Sequence, residues 1–160
     1  MNLPKRKALR LQAYDYSAPG AYFVTFCTRD RAPVLGTVGK ASHRLPQIEL
    51  TELGKITEAY IHRLPVVYPG VRLDAYVIMP NHVHLLLMML EDGGQEAARP
   101  TVSSIVRAVK ALVRKQAGIN PFQASFYDHV IRGREDLSAV REYILNNPAR
   151  WAEDRYYVSR

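Results

Sequence analysis

The chain has 160 residues, 48% of them hydrophobic, which fits one domain over 1–160 with a buried core and argues against disorder. It holds 22 lysines and arginines against 15 aspartates and glutamates, and the net charge of +7 favours a polyanionic partner such as nucleic acid over an acidic membrane surface. No apolar run could cross a bilayer and no signal peptide is recognisable, so we expect a cytoplasmic protein. The single cysteine, Cys27, excludes an internal disulfide.

The first third of the chain predicts a strand and then a helix. Residues 21–28 (AYFVTFCT) are aromatic and β-branched and follow a Pro-Gly pair, which is typical of a strand. Residues 51–64 begin with Thr51 and place four apolar side chains at helical spacing. We expect Pro65 to end this helix.

Two apolar runs in the middle of the chain predict an antiparallel hairpin. They cover 71–79 and 82–90 and are separated only by Pro80-Asn81. The stretch that follows, 91–100 (EDGGQEAARP), is polar and glycine-bearing and predicts a flexible surface loop.

The last third predicts a helix, a strand and a final helix at 101–116, 125–132 and 135–146. The final helix should end at Asn147-Pro148, because the residue before a proline is biased away from the helical region. The order β, α, β, β, α, β, α resembles a ferredoxin-like antiparallel sheet with helices on one face, to which a C-terminal helix is added. This α+β layout leaves one sheet face for a site.

A histidine pair, His82 and His84, is the most informative motif. Residues two apart in a strand point to the same side of a sheet, so both imidazoles project together while Val83 faces the other way. Neutral imidazole binds divalent transition metals, and a metal held by two protein nitrogens keeps positions open for substrate oxygens. The alternative is two polar residues on the solvent side of an edge strand.

A second pair, Tyr143 and Asn147, is four residues apart on the final helix. The two side chains therefore share one face, roughly 6 Å apart along the axis. With a metal nearby, the amide oxygen can complete a His-His-Asn ligand set and the tyrosine can attack a phosphorus whose oxygen the metal polarises. Core packing and an ordinary helix stop would explain the same residues.

Three motifs in order, PNHVHLLL, FYDHVIR and YILNNPARW, resemble those of the REP-associated tyrosine transposases, which belong to the HUH endonuclease superfamily. The resemblance covers nearly the whole chain. It implies Mg²⁺ or Mn²⁺ at His82 and His84, a nucleophile at Tyr143 on the C-terminal helix, and a third ligand at Asn147, where relatives commonly carry glutamine. Tyr127 lies in the second motif and is the rival nucleophile.

The reaction implied by the resemblance is metal-dependent cleavage and rejoining of single-stranded DNA, with hairpin-forming repeats as the expected partner. Tyrosine attack would leave a 5′-phosphotyrosine and a free 3′-hydroxyl, so no nucleotide cofactor is needed, and no G-x-x-x-x-G-K-[ST] loop is present. We expect a nucleoid-associated monomer or homodimer.

Basic groups suit a nucleic-acid partner, since phosphates are their natural contacts. Two sets of them lie on an N-terminal arm over 1–13 and on the outer face of the helix at 101–116, and either set could instead be a solvated surface. The expected nucleic-acid-binding residues are Lys5, Arg6, Lys7, Arg10, Arg107, Lys110, Arg114 and His129. For His129, an ordering or structural role is an equal alternative.

Two other functions fit the same residues. A hydrolytic metal-dependent nuclease would use water in place of the tyrosine and would form no covalent adduct. A single-strand DNA-binding module would have kept recognition and lost cleavage.

Overall fold

The computed structural model describes residues 11, 13–39, 46–91 and 99–157. The predicted basic arm and the predicted loop at 91–100 lie almost wholly outside the described residues. The N-terminal cations expected to bind DNA fall there as well, so they remain predictions. No helix in the described ranges is long and apolar enough to span a bilayer.

Six strands and four α-helices form over the described part of the chain. The strands are Gly20–Cys27 (β1), Gly36–Val38 (β2), Ile48–Leu50 (β3), Val71–Met79 (β4), His82–Met89 (β5) and Tyr127–Val130 (β6). The α-helices are Glu52–His62 (α1), Leu64–Val67 (α2), Val102–Ala117 (α3) and Gly133–Asn146 (α4). Single 3₁₀ segments occur at Arg29–Arg31 and Pro148–Glu153.

Helix boundaries follow local signals. The Thr51 hydroxyl accepts a hydrogen bond from the Gly54 N–H (3.1 Å) at the start of α1. Thr101 and Ser104 form a reciprocal capping box at the start of α3. Gly118, with φ of 71°, ends α3 in the left-handed conformation that glycine adopts without steric cost.

Four of the strands form one antiparallel sheet in the order β4-β5-β1-β6. Numbered among themselves, these strands lie in the order 2-3-1-4, which is the ferredoxin-like arrangement, so the predicted α+β fold class is confirmed. The predicted hairpin is β4 and β5. Its register places His82 opposite Met79 on one side and opposite Cys27 on the other.

The two faces of the sheet have different coverings. Val83, Leu85 and Leu87 of β5 point into the main core, which also contains buried residues of α1 and α3. Leu86 points the other way and packs with Ile144 of α4 in a second cluster. His82 and His84 lie four and two residues before Leu86 in the same strand, so their side chains point to the α4 side of the sheet. This is the sheet face that was predicted to be available for a site.

Three local details differ from the sequence prediction. The short pair β2 and β3 was not predicted, since three residues are too few to display a period. Pro65 does not end a long helix: α1 ends at His62, and Pro65 lies in the first turn of α2, where its missing N–H is not needed. Helix α4 begins at Gly133, two residues earlier than predicted.

Candidate metal centre and nucleophile

The histidine pair lies on an inner strand. Strand β5 is hydrogen-bonded to β4 and to β1, and the exposed fractions of His82 and His84 are 0% and 1%. Their ring centroids are 4.6 Å apart with an interplanar angle of 70°. The alternative interpretation, in which the two histidines are polar residues on the solvent side of an edge strand, is therefore excluded.

Asn81 fixes the tautomer of His82. The Asn81 Nδ2 donates to the carbonyl oxygens of Arg31 (3.1 Å) and Tyr156 (2.7 Å), and since carbonyls only accept, the orientation of the amide is determined. Its Oδ1 lies 2.8 Å from His82 Nδ1 and must accept from it. The proton is thus on Nδ1, and the lone pair of His82 Nε2 faces the site.

The ring of His84 is held in the same way. Its Nδ1 lies 2.7 Å from the Thr25 hydroxyl on the neighbouring strand, and its face stacks on Phe23 at 5.2 Å. Ligation of a metal by His84 Nε2 requires the proton on Nδ1, from which the hydroxyl can accept it. Within the described ranges neither His82 Nε2 nor His84 Nε2 has a hydrogen-bond partner, although both atoms are buried.

Two oxygen-bearing side chains lie next to the imidazoles. The side chain of Asp154 is 4% exposed, its Oδ2 is 3.7 Å from His82 Nε2, and one candidate ligand atom from each of Asp154, His82 and His84 lies within 4.8 Å of the others. The amide oxygen of Asn147 is buried, accepts no hydrogen bond from the part of the chain that the structure describes, and lies close enough to His82 to act on the pKa of that imidazole.

Burial without partners indicates a cation. An unsatisfied buried acceptor costs roughly 1–3 kcal/mol, and three such atoms converge on the site. Two imidazole nitrogens, an amide oxygen and a carboxylate form a donor set that suits a divalent metal. The residues present therefore fit the divalent metal that the sequence motifs imply.

Burial also keeps both imidazoles neutral. It lowers the pKa of His82 to about 3, an effect that the Asn147 amide opposes and the charges of Arg155 and Arg31 reinforce. Burial likewise lowers the pKa of His84 well below its ordinary value, and the neighbouring His82 and Arg155 add to this. Neutral imidazole is the form that coordinates metals.

Tyr143 lies over this group at the mouth of a cleft. Its ring centroid is 5.3 Å from that of His84 and 6.0 Å from that of Phe23, and 42% of the residue is exposed. The cleft has a volume of about 510 Å³ and is also lined by Asn147, Asp154 and Arg155. A substrate in the cleft would contact the tyrosine and the ligand group together.

Helix α4 brings Tyr143 to the sheet, and the 3₁₀ segment after it brings the Asp154 carboxylate. Ile144 of α4 is buried in the second cluster, and Arg141 makes a two-pronged ion pair with Asp74 of β4 (2.7 and 2.8 Å). Asp154 follows the 3₁₀ segment, and its Oδ1 accepts the Tyr156 N–H at 2.8 Å. The chain thus reverses after α4 and covers the histidines.

Tyr127 and His129 lie on β6, which is separated from the histidine strand β5 by β1. The ring of Tyr127 faces the guanidinium of Arg155 at 5.8 Å, and it has no ring contact with either histidine among the described residues. His129 Nε2 is 2.9 Å from Asp136 Oδ2, which also accepts the Arg132 N–H at 2.8 Å. His129 therefore contacts the residue that holds the start of α4, and DNA binding by His129 stays a prediction.

The three predicted cations of α3 are placed differently from one another. Lys110 donates to the carbonyl oxygens of Gln123 (2.7 Å) and Ser125 (2.9 Å), and burial lowers its pKa to about 8. Arg107 and Arg114 are exposed and line a groove of about 340 Å³. DNA binding by all three remains a prediction.

The sequence did not point to three residues of the site. Asp154 lies beyond the last helix in a segment with no period. Asn81 was interpreted only as a turn residue, although its position directly before the first histidine was visible. Arg155 lies next to Asp154 and carries no motif.

No protein-family model matches the chain. An uncharacterized protein of Haemophilus influenzae is 31% identical over 173 residues, covering 96% of this chain and 93% of that protein. A solved structure of a REP-associated tyrosine transposase bound to a REP hairpin has a TM-score of 0.63 at 22% identity, covering 88% of this chain and 74% of that one. The resemblance predicted from the motifs is thus confirmed at the level of the fold.

Proposed function

We propose that this chain is a metal-dependent transposase that cleaves and rejoins single-stranded DNA. The chain belongs to the same protein family as the Haemophilus influenzae protein, and it has the fold of a REP-associated tyrosine transposase. The observation that carries the proposal is the position of Tyr143. Its half-exposed phenol lies against His84, over a buried group of metal-ligand atoms.

The ligand group would hold one divalent cation, Mg²⁺ or Mn²⁺, through His82, His84, Asn147 and Asp154. When bound, such an ion polarises a phosphate oxygen and offsets the charge that develops on it. Asn81 and Thr25 keep the two imidazoles in the orientation that ligation requires.

In the proposed reaction the Tyr143 Oη attacks the scissile phosphorus and loses its proton to solvent through the open cleft. The bond from phosphorus to the 3′ oxygen breaks, and that oxygen takes up a proton. The products are a 5′-phosphotyrosine and a free 3′-hydroxyl, and attack by a 3′-hydroxyl reverses the step. Because the phosphodiester energy is kept in the covalent link, no nucleotide is consumed.

The proposed substrate is single-stranded DNA that folds into hairpins. Support comes from the net charge of +7 and from the REP hairpin bound to the solved transposase of the same fold. One chain supplies both the nucleophile and the ligand group. A monomer is therefore sufficient for the chemistry that we propose.

The proposal is tested by incubating the protein with labelled hairpin-bearing single strands and Mn²⁺ or Mg²⁺, followed by denaturing electrophoresis. We expect an adduct that survives denaturation and maps to Tyr143. Tyr143→Phe should bind DNA but form no adduct, because it lacks only the attacking oxygen.

Tyr127→Phe is the matched control, since it removes the same atom from a tyrosine whose ring contacts neither histidine within the described ranges. It should still form the adduct. Cleavage without any adduct would point to hydrolysis by water, and binding without cleavage would point to a recognition module. An adduct at Tyr127 would overturn the assignment of the nucleophile.

A further inference from the structure

The 3₁₀ segment Arg29–Arg31 presents two exposed arginines in a strained turn beside the ligand group. Asp30 and Arg31 both have φ of 54°, a conformation that residues other than glycine rarely adopt. Such strain persists only where neighbouring structure enforces it. Here the Arg29 N–H donates to Pro121 (2.7 Å), and Asn81, the residue that orients His82, donates to the Arg31 carbonyl.

Arg31 and Arg155 share one aromatic ring. The guanidinium carbon of Arg31 lies 5.6 Å from the centroid of Tyr156 and that of Arg155 lies 4.8 Å from it. Arg155 lines the cleft that holds Tyr143. Two guanidinium groups are thus brought to the same part of the surface, next to the cleft.

Arg29 extends the positive surface in the other direction. It lines the α3 groove together with Arg107 and Arg114, and Asn120 adds an amide to the same wall. Arg29 and Arg31 are two residues apart, so a single turn contributes one arginine to the groove and one to the ring of Tyr156, which Arg155 of the cleft also contacts.

The arginines along this path are not held in ion pairs by any described residue, although the exposed Asp30 lies between two of them in the turn. Arg29, Arg31, Arg107, Arg114 and Arg155 are all exposed, and none makes an ion pair within the described ranges. Other arginines of the chain are paired with carboxylates, such as Arg141 with Asp74.

We propose that Arg29, Arg31 and Arg155 form a track that carries the phosphodiester backbone of the DNA strand from the α3 groove to the catalytic cleft. This inference rests on the proposed function for the identity of the polymer. Guanidinium groups suit the task, because each offers several N–H donors to a phosphate. Along the track, Arg155 receives the strand next to Tyr143.

The test measures the salt dependence of binding of fluorescein-labelled oligo(dT) by anisotropy, in the Tyr143→Phe protein with EDTA so that no chemistry intervenes. Each phosphate contact on a single strand contributes about −0.7 to the slope of log affinity against log salt. Changing Arg29 and Arg31 to Gln should therefore make the slope shallower by about 1.4. Lowering the salt concentration from about 200 to about 50 mM should then raise the DNA affinity of the parent about sevenfold more than that of the variant.

Arg63→Gln is the matched control, because it removes an exposed arginine at the end of α1 and should leave the slope unchanged. A variant with Arg29→Lys and Arg31→Lys keeps both charges and should retain most of the parent's slope. A slope in the double Gln variant equal to that of the parent, or no measurable binding by the parent at low salt, overturns the track. Adduct formation by the protein with Tyr143 intact is scored separately, so a failure of the proposed function is distinguishable from a failure of the track.

Discussion

The neutrality of the buried histidine pair has a consequence for stability that can be measured without DNA. A histidine whose pKa is lowered on folding stabilises the protein above its unfolded pKa of about 6.5, and this contribution is lost as the pH falls from there toward the folded value. For His82, with a folded pKa of about 3, the loss covers the window from about pH 6.5 to about pH 3.

The expected magnitude follows from proton uptake by the unfolded chain. Between about pH 7.5 and about pH 5.5, an unfolded histidine gains nearly one proton while His82 and His84 stay neutral in the folded state. This uptake lowers the free energy of unfolding by about 1.4 kcal/mol for each histidine, or about 2.8 kcal/mol for the pair. Urea unfolding at the two pH values in EDTA measures the change without a metal contribution.

His84→Gln provides the comparison, because it deletes one titrating group and keeps a polar side chain of similar size. Over the same pH interval, the free energy of unfolding of the variant should decrease by about 1.4 kcal/mol less than that of the parent. Carboxylates contribute equally to both proteins and cancel in the difference. The reasoning is refuted if the variant and the parent lose the same amount, or if the parent is equally stable at both pH values.

Three further predictions concern the ligand group. His82→Ala or His84→Ala should abolish adduct formation with Mn²⁺ while the circular dichroism spectrum stays that of a folded domain, and undiminished cleavage by either variant would contradict the metal site. Asp154→Asn should weaken Mn²⁺ binding about tenfold or more in a calorimetric titration, because the one charged side chain of the four proposed ligands is lost. Glu153→Gln changes the neighbouring residue of the same cleft and should leave Mn²⁺ binding unchanged. Asn81→Ala should lower Mn²⁺ affinity by about 10- to 100-fold, because the partner of the His82 ring is removed; an affinity equal to the parent's would show that Asn81 does not position the ring.

Much of the fold could be predicted because it depends on the spacing of residues that are close in the sequence. The two-residue spacing of His82 and His84 in a strand predicted that their side chains share a face, and the two-residue connection before them predicted the hairpin. The spacing of Tyr143 and Asn147 placed both on one face of a helix whose existence was also predicted. Each of these inferences needs only residues that are near one another in the chain.

The remaining parts of the site depend on the path of the chain in space. Asp154 reaches the histidines only because the 3₁₀ segment Pro148–Glu153 turns back over the sheet, and a segment without a period gives no sign of this. Lys110 illustrates the opposite case. Its position on α3 suggested an outward charge, yet its long side chain bends to three carbonyl oxygens beyond the helix end, which no helical spacing could indicate.

Asp154 has two oxygens, and they serve different neighbours. One accepts the backbone N–H of Tyr156, and the other faces His82. Thermodynamic reciprocity then requires that anything bound at the histidines through this carboxylate also holds the C-terminal turn in place, by the same coupling free energy in both directions. The Tyr156 amide should accordingly exchange its hydrogen with solvent more slowly when Mn²⁺ is present, so a single backbone proton reports occupancy of a site whose two histidines lie more than seventy positions away in the sequence.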